Sequence, residues 1–143
     1  MSQMNPSRIL LGGLLSGLIM NGSEAALHAG FLGDETGLLY QKFGVELPVP
    51  PGNLILLISA TFLVGIISVW LYAMIRPRFG AGPRAALFAG FTVWLLAHFW
   101  SGVYLGAGYA GIITPKLAWV PVIWGFAEAM IATLVGAKFY KEK

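Results

Sequence analysis

Four long, uninterrupted apolar runs set what this chain can fold into. They cover about 9–33, 54–75, 85–105 and 117–137 of the 143 residues. Each is close to the ~20 residues that a helix rising ~1.5 Å per residue needs to cross ~30 Å of hydrocarbon. Inside a bilayer only helices and closed barrels satisfy their own backbone polar groups. Barrel strands would alternate in hydropathy over segments of roughly 10 residues, and these runs do not alternate. The sequence therefore predicts an all-α polytopic membrane protein, one domain over 1–143, with four transmembrane helices in a compact bundle.

Composition agrees where it bears on that reading. Hydrophobic residues make up 57% and charged residues 10%, against about 25% charged in a soluble domain. A water-soluble globule of this make-up would expose large apolar patches and aggregate. The net charge of +3 is concentrated at the borders of the runs, so it points to a bilayer and not to nucleic acid. The absence of cysteine excludes disulfides, thiolate metal sites and a cysteine nucleophile.

The connections carry turn chemistry. Asp34, Glu35, Gly37, Gly44, Glu46 and Pro48-Val49-Pro50-Pro51-Gly52 are expected in the first loop. Arg76-Pro77-Arg78-Phe79-Gly80-Ala81-Gly82-Pro83-Arg84 reads as a short basic hairpin loop. A glycine-rich turn with Gly106, Gly108, Gly111 and Pro115 joins the last two runs, close to the headgroups. Arg8, Arg76, Arg78, Arg84, Lys138, Lys141 and Lys143 then share one side, with Lys42 and Lys116 on the other. Basic residues favour the cytoplasmic side, so both termini are expected in the cytoplasm of a bacterial inner membrane. The first run imitates a signal peptide. Its apolar character continues past Ala25, however, and its loss would leave three spans with termini on opposite faces, so it is expected to be retained. A weak echo between 70–75 and 124–131 suggests a parallel repeat only at a two-residue offset.

Helical spacing places small and polar residues in stripes. Gly13, Gly17, Asn21, Glu24 and His28 share an arc of the first helix, with a G-x-x-x-G at Gly13 and Gly17. Thr61, Gly65, Ser68 and Tyr72 share a face of the second. Gly90, Trp94, His98 and Gly102 align on the third, and Pro121, Gly125, Glu128 and Ala132 on the fourth. Gly13, Gly17, Gly65, Gly90, Gly102 and Gly125 are the expected points of close helix contact. Trp70, Trp94, Trp100 and Trp124 are expected deep in the membrane. Tyr40, Tyr104, Tyr109, Trp119 and Tyr140 are expected at headgroup depth.

Intramembrane ionisable groups are the candidate functional residues, since a charge at a helix centre costs about 2.5–3.5 kcal/mol on insertion scales. Glu24, His28, His98 and Glu128, with Asn21, form a relay set in which Glu24 and His28 pair at i,i+4 and Glu128 is a second station. The alternative is that these groups are hydrogen-bonded and fix the bundle's geometry. His98 and His28 are also candidate axial ligands for haem or a chlorophyll-type pigment, although no bound cofactor is the leading expectation. No metal site is expected: di-iron bundles use Glu-x-x-His at i,i+3, whereas Glu24 and His28 stand four apart with no second copy. H-E-x-x-H, G-x-S-x-G and G-x-x-x-x-G-K-[ST] are absent, so no enzyme is expected.

The chain resembles a family of small bacterial four-helix integral membrane proteins. The likeness rests on Leu11-Gly12-Gly13-Leu14 with Asn21 and Glu24, and on Trp70-Leu71-Tyr72-Ala73-Met74-Ile75-Arg76-Pro77-Arg78-Phe79-Gly80. Trp124-Gly125 with Glu128, and Gly136-Ala137 ahead of Tyr140-Lys141-Glu142, complete it. The resemblance implies the topology and brings no activity with it. The leading functional expectation is a non-enzymatic accessory or scaffold subunit that packs into a larger, energy-transducing membrane complex, or associates with itself. The competing expectations are a small oligomeric transporter or proton/cation channel, and a pigment- or haem-binding subunit.

Overall fold

The computed structural model describes residues 4–45 and 50–142. Glu46, Pro48, Val49 and Lys143, which enter the loop and charge expectations above, lie outside the described residues. Four helices are long and apolar enough to cross a membrane: α1 (Pro6–Lys42), α2 (Pro51–Phe79), α3 (Pro83–Gly108) and α4 (Pro115–Lys138). Every one opens with proline at its start, where the missing N–H is no loss and the fixed φ suits the first turn. Two have side-chain caps as well. Asn5 accepts from the Arg8 backbone N–H at 3.3 Å, and Thr114 accepts from that of Leu117 at 3.3 Å.

The helices are longer than the apolar runs. Residues 34–42, expected in a loop, continue α1 through Asp34 and Glu35 to Lys42. Arg76-Pro77-Arg78-Phe79, expected in the hairpin loop, complete α2. The connection itself is only Gly80-Ala81-Gly82, and Gly80 takes φ +82° to turn the chain. Both differences have one cause. Hydropathy reports the solvent around a side chain, and a helix does not end where lipid gives way to water. Two π-helical turns interrupt the α-geometry, His28–Leu32 in α1 and Leu95–Phe99 in α3.

The chain runs up, down, up and down. Ile9 near the start of α1 packs with Val69, Tyr72 and Ala73 of α2, Ala85 and Ala86 of α3, and Ala137 and Tyr140 at the end of α4. Arg76 closes this end with Glu142 at 3.4 Å and lies over the Tyr140 ring at 5.6 Å. Tyr140, expected at headgroup depth, is buried edge-on against Tyr72 at this end of the bundle. At the opposite end Thr114 donates to Glu35 Oε2 at 2.6 Å, while Lys116 lies 3.6 Å from Glu35 Oε1.

Glycine makes the close approaches. A Cβ on Gly65 would strike the Gly17 backbone and the Gly13 carbonyl, and one on Gly12 would strike the Gly136 carbonyl. Gly90 packs on the Ala129 carbonyl, and Gly102 on Val122. Such contacts let helix backbones meet in lipid, where no hydrophobic force drives them together. Ser16 and Ser68 share a buried hydrogen bond of 3.2 Å across the α1–α2 seam. Large apolar side chains face outward along all four helices, and residues 51–60 of α2 are exposed throughout.

Candidate functional site

The α1 stripe divides among different neighbours. Gly13 and Gly17 face Ile66 and Phe62 of α2. Asn21 stays on that side, where its Nδ2 donates to the Gly17 carbonyl at 2.9 Å and to the Ile58 carbonyl at 3.4 Å. Glu24 turns into the bundle. His28, at the first π-turn, remains exposed, and its Nδ1 sits 3.0 Å from the Glu24 carbonyl oxygen and 3.6 Å from Glu24 Oε2.

The α3 stripe keeps to one partner, α4. Trp94 Nε1 donates to the Val122 carbonyl at 2.8 Å. One helical turn on, within the second π-turn, the His98 imidazole lies directly on Gly125, where any side chain would strike the ring. That seat brings His98 Nε2 to 3.8 Å from Glu128 Oε1. The π-turn matters because such bulges re-aim a side chain within an otherwise regular helix and recur at functional sites.

Glu128 comes from the buried face of α4, roughly 20 Å along the helix from Pro115 at ~1.5 Å per residue. Its side chain is 2% exposed, and Oε2 is buried with no hydrogen-bond partner among the described residues. One ligand atom each from Glu24, His98 and Glu128 can be chosen so that all lie within 4.8 Å of one another. Three helices thus bring three ionisable side chains to one point in an apolar interior. His28 does not join them.

The neighbourhood of Glu128 is held by a tryptophan. Trp124 Nε1 donates to Ser23 Oγ at 2.8 Å, and Phe31 packs against the Trp124 ring with centroids 5.5 Å apart. Ser23 is therefore an acceptor for the indole, which leaves its own proton free to turn elsewhere. Ser23 and Glu128 share an otherwise apolar groove of about 470 Å³ with Ile19, Phe31, Ile123 and Ile131. Neither histidine lines that groove. Of the four tryptophans expected at depth, Trp94 and Trp124 hold the interior, while Trp70 and Trp100 face outward.

Sequence reasoning named Glu24, His98 and Glu128 and weighed a hydrogen bond from the glutamates to His98 as one alternative, without the three-way convergence. It also missed Ser23 and the π-turns. Helical spacing within one run could place residues on an arc, but nothing in the sequence tells which arcs face each other. No family model, curated protein or solved structure matches the chain, so the resemblance noted above stands on its own residues.

Proposed function

We propose that this chain is a multi-pass protein of the bacterial inner membrane, with both termini in the cytoplasm, that binds and passes on protons or small cations at the Glu24–His98–Glu128 cluster. The reading is carried by one observation, the convergence of three ionisable side chains from three helices in an apolar bundle. Intramembrane ionisable groups are costly and mark ion pathways or proton relays. A purely architectural role has cheaper solutions, and this bundle already uses them in the Ser16–Ser68 pair and the glycine contacts. Four helices leave little room for a path through one protomer, so the working unit is taken as self-associated. No bond-breaking chemistry is assigned to it.

The test is proton flux in proteoliposomes with the Glu24→Gln, Glu128→Gln double variant. Loss of the wild-type flux is expected, and a double variant that conducts like the wild type refutes the reading. The second reading, an accessory subunit of a larger complex, draws on the outward apolar surface of α2, where residues 51–60 meet little protein. Gentle native solubilisation decides between them. A particle containing other subunits, or one with visible absorption from haem or pigment, favours the accessory role; a colourless self-associated particle favours ion handling.

A further inference from the structure

We propose that Glu24, His98 and Glu128 together bind one divalent transition cation of the zinc class, a site that the spacing of residues along the sequence does not reveal. The inference rests on reading this cluster as an ion site and names the ion.

The donor set is one imidazole nitrogen and two carboxylate oxygens, which suits borderline first-row cations. Zinc takes such donors at about 2.0–2.2 Å in tetrahedral array, which sets neighbouring donor atoms roughly 3.4 Å apart. His98 Nε2 and Glu128 Oε1 stand at 3.8 Å, and the whole set falls within 4.8 Å. Side-chain rotations have to close the remainder, at most about 1.4 Å between any two donors. Three protein ligands leave the fourth position open, as in exchangeable sites.

Charge supplies an independent reason. Two ionised carboxylates this close together in hydrocarbon repel each other, and the histidines beside them, His28 at 3.6 Å from Glu24 and His98 at 3.8 Å from Glu128, offset that only when protonated. A dication makes the group neutral, the least costly state at that depth. Glu128 Oε2 adds a second observation: a carboxylate oxygen on an almost wholly buried side chain that has no hydrogen-bond partner among the described residues, with the Ser23 hydroxyl as a polar neighbour of the carboxylate. The Pro121 carbonyl lies beside the His98 ring, the kind of outer contact that orients a ligating imidazole. Entry is from the Glu35 end of the bundle, where Glu24 is 31% exposed and His28 stands next to it.

The full-length protein in detergent, stripped with chelator, is titrated with Co²⁺ as a spectroscopic probe and then with Zn²⁺. One equivalent of Co²⁺ with visible d–d bands, displaced by Zn²⁺, is expected. His98→Gln and Glu128→Gln should each weaken binding at least about 100-fold, since even outer-contact changes cost 10–100-fold. His28→Gln, next to Glu24 but outside the ligand set, should weaken it far less than His98→Gln. Helix content and elution volume are checked for each variant. If His98→Gln does not fold, Glu24→Gln, at the most exposed of the three ligands, carries the comparison.

Folded wild-type protein that binds no Co²⁺ overturns the inference, as does a loss in His28→Gln equal to that in His98→Gln. Proton flux on the same preparations separates the two claims. Flux that persists in chelator without metal binding removes the metal site and keeps the relay. Stoichiometric metal binding without flux keeps the site and removes the relay.

Discussion

His98 owes its position to the missing side chain of Gly125. The imidazole occupies the space that a Cβ would fill, and this brings Nε2 toward Glu128. Gly125→Ala should therefore displace the ring from the carboxylate and destabilise the protein by about 1–3 kcal/mol, the usual range for overpacking. Equilibrium unfolding in mixed micelles measures it. A variant as stable as the wild type would mean that the ring is not held by this contact. Both residues were visible in the sequence, each within a stripe of small and polar positions. Their pairing was not, because it depends on the crossing of two helices. The indole donors show the same limit: depth suggested packing for Trp94 and Trp124, whereas each spends its N–H on a specific acceptor, the Val122 carbonyl and Ser23 Oγ.

Between helices, the α1–α2 seam is where small residues decide most. The atoms around Gly65 belong to the backbone of Gly13 and Gly17, so an added side chain has nothing flexible to push aside. Gly65→Leu should open the seam, break the Ser16–Ser68 bond and cost about 3 kcal/mol. Gly22, on α1, has no atom of the described residues near its Cβ position. Gly22→Leu should instead be neutral or gain up to about 1 kcal/mol from helix propensity. Unfolding midpoints of the two variants check the contrast, and equal losses would refute it. Element existence was legible because a 20-residue apolar run has one solution in lipid. Element ends were less so: prolines marked the starts, but charge and proline at 34–42 and 76–79 did not stop the helices. The π-turns left no trace in hydropathy, since a one-residue change of register alters no composition.

At the scale of the molecule, the up-down-up-down path puts the start of α1, the end of α4 and the Gly80–Gly82 connection at one end of the bundle. Seven of the nine basic residues fall at that end by sequence, which on the proposed reading makes it the cytoplasmic end. The chain has no cysteine, so single substitutions report cleanly. In intact cells Ala107→Cys should react with an impermeant maleimide, and Ser7→Cys and Ala81→Cys should react only after the membrane is opened. The reverse pattern would invert the topology.

The two ends of the bundle are not equally tied. One is pinned by an aromatic pair, an ion pair and a cluster drawn from all four helices; at the other, the first turns of α2 touch little except through Asn21. Compliance in such a body is graded along its axis, as in tweezers joined at the base. A small swing confined to residues 51–60 of α2 would break few of the described contacts, while the joint at Tyr72 and Tyr140 stays shut. Opening is thereby expected at the Glu24 end of the bundle before the Tyr140 end.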